Sequence, residues 1–327
     1  MTGNEIMELK QNEKIDVYID KNSDKPYLNG YRHFINDSAS TTVYNYLRHV
    51  CSFMNYCKKD IKDLDLDDFT IYLSSIKNTT QSYQIVAYAA LKKFSMYLLA
   101  SNKNISNPMQ YIKRPKFKES KETIDKRNIG YLEKKEIKKY LNAVVNGAGT
   151  ERATNRQKNW KERDLLIVLI FLNTGMRCSA LCKLDVENID ITNKKLYTVD
   201  KGDVLQEYDL SEEIITHVIN WINKRKVLLG DINEKALFIS NRRERMSQFA
   251  VSSVVNKYAD NIKGKHITPH KLRATYGTQI YEATGDLYLT QQCMGHKNPK
   301  TTELYIRGQE ENIREVASGI MSKLTTI

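Results

Sequence analysis

The sequence has few cysteines and no long apolar run, and these two shortages exclude several classes of protein. Its 327 residues include five cysteines, an odd number, and no C-x-x-C pair. We therefore expect free, mostly buried thiols in a cytoplasmic protein, without a disulfide framework or a zinc site. No apolar stretch approaches the roughly 18 residues of a membrane span. The polar, mixed-charge start is unlike a secretory signal.

Acidic side chains are in the minority, and they are concentrated at one end. The formal net charge is +12, whereas residues 1–24 carry six acidic and three basic groups, a net charge of −3. The remainder therefore carries +15, which indicates an anionic partner such as nucleic acid. A merely basic surface is the alternative. The chain also lacks a carboxylate cluster and a glycine-rich phosphate loop, the sequence patterns typical of metal and nucleotide sites.

The first third of the chain is predicted to be helical. Residues 1–24 are polar, and we expect a flexible arm there. Residues 25–112 contain apolar residues at helical spacing after each of three candidate starts, at Ser40, Asp65 and Thr79. The pattern predicts a helical domain, and a generic bundle without a ligand explains it equally well.

The rest of the chain is predicted to be a linker and a second domain. Residues 113–130 are rich in basic side chains and read as an extended linker. In the domain over 131–327, Leu165 to Leu172 is apolar on every side and predicts a central, buried helix. Alternation over 186–209 predicts a small antiparallel sheet. Residues 309–324 are predicted to form an amphipathic tail helix. The basic stretch 147–163 reads as a loop or a frayed helix near phosphates. The basic cluster at 241–245 either touches phosphates or forms a solvated loop.

The stretch over 266–305 carries the strongest chemical pattern. His270 and Arg273 are three residues apart, so on a helix they share one face and can converge on one ligand. Thr268 and Pro269 before them are typical of a helix start. Tyr305 follows His296 by nine residues. Arginine binds anions with a fixed planar fork, imidazole moves protons near neutral pH, and a tyrosine hydroxyl is a nucleophile. The set suits attack on a phosphodiester.

These motifs resemble the signature of the tyrosine recombinases, the phage integrase family. The H-x-L-R and G-H-x8-Y runs resemble its C-terminal boxes. FLNTGMRCSAL at 171–181 resembles its T-G-x-R box with Arg177 in the arginine position, and LYTVDKGDVLQEYDL at 196–210 resembles its lysine hairpin with Lys201. The resemblance implies a mainly α fold with a small antiparallel sheet. A helical, SAM-like core-binding domain would precede an α+β catalytic domain, and in this family the linker crosses the DNA backbone.

The resemblance also implies a site-specific recombination reaction. Tyr305 would attack the scissile phosphate and form a 3′-phosphotyrosyl bond, while Arg177 and Arg273 hold the non-bridging oxygens with help from His296. Lys201 would protonate the leaving 5′-oxygen. His270 would accept the tyrosine proton or orient the phosphate. No cofactor is needed, because the phosphotyrosyl bond conserves the energy for rejoining.

The implied partners are double-stranded DNA with inverted-repeat core sites and further copies of the chain. We expect a tetramer on nucleoid DNA in the cytoplasm, with the tail helix packed against a neighbouring copy or in cis. Three positions depart from the family pattern, namely Ala180, Lys271 and Ala274, and they bear on the orientation of the two arginines. The rival functions are a type IB topoisomerase that relaxes DNA alone and a DNA-binding protein without catalysis.

Overall fold

The structure, a computed structural model, describes residues 3–102, 107–116, 130–200, 204–259, 262 and 266–295. The chain divides into two compact units, with the division between residues 119 and 120. Most of the predicted linker and all of the predicted tail helix, 309–324, lie outside the described residues. Within the described ranges, no helix combines the length and the apolar character that crossing a membrane requires.

The first unit is helical, as the sequence predicts. Its helices are α1 (Gly3–Asp20), α2 (Tyr27–Phe34), α3 (Ser40–Cys57), α4 (Leu66–Ser75) and α5 (Gln81–Ala100), followed by a short 3-10 turn, Pro108–Gln110. Asp65 and Thr80 cap α4 and α5 by accepting hydrogen bonds from backbone N–H groups of the first turn. Helix α3 packs along α5, and Phe53, Leu91 and Phe94 are among the fully buried residues of the core.

The start of the chain is the main correction to the sequence prediction. Residues 3–20 form α1, which packs on α3, rather than the expected flexible arm. Ile15 and Ile19, one helical turn apart, are buried in the core of the first unit. The arm was expected because the segment is otherwise polar and acidic. Two apolar side chains on one face suffice to dock a helix when a neighbouring helix covers them.

The second unit is mainly helical and contains the only sheet among the described residues. Its helices are α6 (Lys134–Asn146), α7 (Glu151–Lys158), α8 (Lys161–Thr174), α9 (Cys178–Lys183), α10 (Glu212–Leu229), α11 (Gln248–Lys257), α12 (Pro269–Thr284) and α13 (Leu287–Cys293). Its strands are β1 (Ile189–Asp190), β2 (Lys195–Asp200) and β3 (Val204–Asp209), which pair antiparallel in the order β1-β2-β3. The sheet predicted over 186–209 is confirmed.

Helix α8 is the centre of the second unit. It packs against α6, α10, α11 and α12, and its apolar residues from Leu165 to Phe171 are buried with the exception of the half-buried Leu169. The sequence prediction of a central helix is confirmed, because a helix that is apolar on all sides is stable only when other elements surround it.

A buried ion network ties α8 to α11. The Asp164 carboxylate is fully buried and accepts hydrogen bonds from Arg163 at 2.9 Å, from the Tyr258 hydroxyl at 2.8 Å and from the Lys257 ammonium. Arg163 also donates to the Ile239 carbonyl at 2.9 Å and is 3% exposed. Arg163 is therefore a structural cation rather than one of the phosphate contacts considered for residues 147–163.

We expect Asp164→Asn to destabilise the second unit by about 3 kcal/mol, because it leaves the buried Arg163 guanidinium without its counter-charge. Both tryptophans, Trp160 and Trp221, lie in this unit, so urea unfolding followed by tryptophan fluorescence reports on it selectively. Asp231→Asn, at an exposed position, is the matched control. Equal unfolding free energies for the two variants would contradict the prediction.

Arg245 corrects the sequence interpretation of the basic cluster at 241–245. Its guanidinium donates to the Cys182 and Leu184 carbonyls, both at 3.1 Å, and to the Asp185 carboxylate. Arg245 is 9% exposed, so it neither meets a phosphate nor sits in a solvated loop. These hydrogen bonds from Arg245 stabilise the segment that follows α9.

All five cysteines are free, with Cys51 and Cys182 buried and the others half-buried.

Candidate active site

The first turn of α12 presents His270 and Arg273. Thr268 caps the helix by accepting a hydrogen bond from the Lys271 N–H at 3.3 Å, and Pro269 occupies the first turn. This is the helix start that the sequence predicts. His270 lies at the surface, whereas Arg273 is only 3% exposed. The same helical face therefore offers an accessible imidazole above a buried guanidinium.

Two backbone carbonyls from distant parts of the unit hold Arg273. Its Nη1 donates to the Gly175 carbonyl and its Nη2 donates to the Met294 carbonyl. Gly175 lies two residues before Arg177, and Met294 lies two residues before His296. The Arg273 side chain therefore joins three sequence motifs at one place. Bonds to two carbonyls fix the plane of a guanidinium, which a single contact would not do.

The turn that delivers Arg177 follows from local sequence. Helix α8 ends at Thr174, and Gly175 adopts a left-handed conformation with φ of +59°, its N–H bonded to the Phe171 carbonyl at 3.0 Å. Thr174 accepts a hydrogen bond from the Met176 N–H at 3.2 Å. Arg177, half-buried, then precedes the first residue of α9. The threonine and the glycine of the box are thus needed to form this turn of the backbone. Arg177 is needed for the charge of its side chain.

The charges of both arginines act on His270. Partial burial of the ring, then the positive charges of Arg273 and Arg177, lower the pKa of His270 from its ordinary 6.5. Both arginines act on one imidazole, so the three groups form one cluster in the second unit. Two fixed cations beside a neutral imidazole favour an anionic ligand that also has a proton to give up.

The other three predicted site residues, Lys201, His296 and Tyr305, lie outside the described residues. The structure does describe the elements that lead to two of them. Strand β2 ends at Asp200, directly before Lys201, and Gly295 directly precedes His296. Gln206 of β3 lies beside Gly295, because a Cβ there would be 3.2 Å from its Oε1. The hairpin strand is therefore adjacent to the Met294–Gly295 turn.

Two of the three departures from the family pattern are small buried positions. Ala180 is 2% exposed and Ala274 is 7% exposed, so neither supplies a polar group to the arginines. Lys271 is half-buried on the first turn of α12. The carbonyls of Gly175 and Met294 hold Arg273 instead. Sequence reasoning missed these two acceptors because every residue has a backbone carbonyl, so the sequence does not distinguish them. The glycine of the box was the one sign that a side chain comes close to the backbone there.

The lowered pKa gives a prediction for the DNA-free protein. The charged imidazole is disfavoured, so His270 should stay neutral at pH 7 and take up its proton only below pH 6.5. An NMR titration of the histidine ring protons, assigned with a His270→Asn variant, measures this. A bound phosphate should move the midpoint upward, because an opposite charge favours the imidazolium. A midpoint at or above 6.5 without DNA would be inconsistent with the cluster.

Comparison with known sequences gives one family. A sequence model described as the phage integrase family matches residues 130–312. A protein named tyrosine recombinase XerC from Caldanaerobacter subterraneus is 32% identical over 265 residues, which cover 79% of this chain and 69% of the relative. A protein named tyrosine recombinase XerS from Streptococcus agalactiae is 26% identical over 306 residues, 85% of each chain.

Solved structures share the fold. A XerH site-specific recombinase bound to a palindromic difH substrate aligns with a TM-score of 0.65 at 20% identity, covering 86% of this chain and 80% of that one. A lambda integrase dimer bound to a core site aligns with a TM-score of 0.61 at 18% identity, covering 86% and 94%. At these identities the alignments establish that the fold is the same. The match includes the mainly helical architecture with its small sheet.

Proposed function

Because the chain belongs to the phage integrase family, the tyrosine recombinases, we propose that Arg177, His270 and Arg273 form the described part of its catalytic centre. The protein is a site-specific recombinase, an enzyme that cuts and rejoins DNA strands. The observation that supports this catalytic centre is the pair of hydrogen bonds from Arg273 to the carbonyls of Gly175 and Met294. These bonds bring together the T-G-x-R turn, the H-x-x-R helix and the residues just before His296.

The described residues would bind the scissile phosphate. Arg177 and Arg273 would bind its non-bridging oxygens and stabilise the negative charge that grows as a fifth oxygen approaches phosphorus. Arg273 is suited to this because its orientation is set before DNA arrives, so little reorganisation accompanies the reaction. His270, neutral at pH 7, would accept the proton of the attacking hydroxyl or orient the phosphate.

The remaining roles belong to residues outside the described part of the chain. Tyr305 would be the nucleophile that forms the 3′-phosphotyrosyl bond, and His296 would add a hydrogen bond to the phosphate oxygens. Lys201 would give its proton to the leaving 5′-oxygen. The contact between Gln206 and Gly295 supports this arrangement, since the strand after Lys201 lies against the residue before His296. The 5′-hydroxyl of a partner strand would then release the tyrosine.

DNA is the substrate, and the oligomeric state is part of the proposal. The XerH structure is described with a palindromic site and the lambda integrase structure as a dimer on a core site. By analogy we assign inverted-repeat core sites and a tetramer that holds two duplexes, with residues 309–324 reaching a neighbouring copy. The working compartment would be the cytoplasm, on nucleoid DNA.

Covalent capture of DNA tests the proposal. Duplexes from a randomised pool, each nicked so that cleavage releases a short strand irreversibly, are incubated with the full chain and denatured. Covalently retained DNA is sequenced and reselected to define a site. We expect an enriched inverted repeat and a detergent-stable protein–DNA adduct. If no duplex is retained, the recombinase assignment of this chain is refuted.

A topological assay separates the recombinase from the topoisomerase alternative. A supercoiled plasmid with one selected site is compared with a plasmid that carries two. A recombinase requires the pair to yield deleted or inverted circles, whereas a type IB topoisomerase relaxes both plasmids equally. Relaxation of a plasmid without any selected site, at the rate seen with two sites, would favour the topoisomerase.

A further inference from the structure

Tyr276 contacts the turn that holds the Arg177 box. It follows Arg273 by three residues on α12, so both side chains project from the same face of the helix. Its ring lies against Gly175. A Cβ on Gly175 would be 2.3 Å from Tyr276 Cδ1 and 3.0 Å from Cγ. Glycine is thus required at position 175 for two reasons. Its φ of +59° disfavours other residues, and the Tyr276 ring leaves no space for a Cβ.

The phenol end of the Tyr276 side chain lies near the Met294–Gly295 turn. Its neighbours there are Cys293, the last residue of α13, and Tyr208 of β3. Burial, followed by the proximity of Cys293 and Tyr208, raises the pKa of Tyr276 to about 12. The hydroxyl therefore stays protonated at neutral pH and can donate. Cys293 directly precedes Met294.

Both carbonyls that hold Arg273 therefore lie next to Tyr276 or to one of its neighbours. Gly175 carries one carbonyl and touches the ring. Met294 carries the other and directly follows Cys293, which is a neighbour of the phenol. We infer that Tyr276 is a positioning residue that braces the two turns around Arg273. The ring maintains the Gly175 carbonyl in place, and the hydroxyl makes a smaller contribution at the Met294 turn. The consequence for catalysis rests on the proposed function.

The reason such a brace matters is the sensitivity of phosphate chemistry to geometry. A displacement of about 1 Å in a catalytic group costs roughly 100-fold in rate. Without the ring, the positive-φ turn at Gly175 loses its packing partner and the carbonyl can swing away from Nη1. The Arg273 guanidinium would then reach the phosphate with a variable orientation. Binding of DNA relies on many phosphate contacts and should change little.

Three variants separate the ring from the hydroxyl. Tyr276→Ala removes both, Tyr276→Phe keeps the ring, and Cys293→Ala removes only the neighbouring thiol. At saturating selected DNA, we expect single-turnover covalent capture to fall about 30-fold in Tyr276→Ala and less than about 3-fold in the other two. The dissociation constant for a nicked duplex should stay within about 3-fold of the parent in all three. A 30-fold loss in affinity with an unchanged capture rate would overturn the inference.

A second measurement decides the inference without any reaction. In DNA-free protein labelled with ¹⁵N-arginine, the Arg273 side-chain signal is assigned with Arg273→Lys, and its hydrogen exchange is compared among the variants. We expect exchange at least about 10-fold faster in Tyr276→Ala than in Tyr276→Phe, because the carbonyl acceptors are no longer held. Equal exchange refutes the brace. Absence of DNA capture by the parent chain would refute the proposed function alone.

Discussion

Tyr305→Phe is expected to abolish covalent capture of DNA while leaving DNA affinity unchanged. Phenylalanine preserves the ring and removes the only atom that could bond to phosphorus. Loss of a nucleophile that forms a covalent intermediate costs several orders of magnitude in rate. We expect a fall of at least about 1,000-fold. Single-turnover assays on the nicked selected duplex measure capture, and gel-shift titration measures affinity.

The chain offers a control for this variant. Tyr288 on α13 is 67% exposed, so Tyr288→Phe also deletes a tyrosine hydroxyl in the helix that precedes His296. This variant should capture DNA at the parental rate. An adduct that persists in Tyr305→Phe, with the linked peptide identified by mass spectrometry at a different tyrosine, would move the nucleophile elsewhere.

Arg273→Lys should produce the second largest effect. An ammonium keeps the charge but cannot bond to two carbonyls and a phosphate in one plane. Removal of one preorganised donor from an oxyanion site costs about 100- to 1,000-fold, and a bidentate guanidinium supplies a pair. We expect capture at saturating DNA to fall about 1,000-fold. The measurement is the single-turnover rate per folded molecule, with the folded fraction taken from tryptophan fluorescence.

Arg245→Lys is a matched control, because Arg245 is also a buried arginine that donates to two backbone carbonyls. Both substitutions should destabilise the second unit, since each leaves buried acceptors short of a donor. Only Arg273→Lys should slow capture once the folded fraction is corrected. Similar capture rates for both variants would mean that Arg273 serves the fold rather than the phosphate.

Local patterns predicted the elements around the site well. The threonine-proline start of α12, the glycine after Thr174 and the alternation over 186–209 are each set by short-range geometry. A cap, a positive φ and a period of two residues depend on neighbours a few positions away. The buried central helix α8 was predictable for a related reason, since its all-round apolar surface has no other stable environment.

Predictions failed where a few side chains decided the outcome through distant partners. The arm over 1–24 was predicted from its average polarity, yet Ile15 and Ile19 dock α1 on the core. Arg245 was grouped with a solvated or phosphate-binding loop, yet it bonds to carbonyls some 60 positions earlier. The composition of a segment is an average over all its residues. Whether the segment packs on the core depends instead on which of its faces meets a complementary surface, and composition does not report this.

The order of residue types along this chain was enough to identify its family and to predict which charged groups carry out the reaction, because chemistry resides in side chains. The sequence could not determine how Arg273 is held. That depends on the carbonyls of Gly175 and Met294, 98 and 21 positions away. Every peptide unit carries the same carbonyl, so no letter of the sequence marks these two. Only the packing of α8, α12 and α13 in three dimensions selects them.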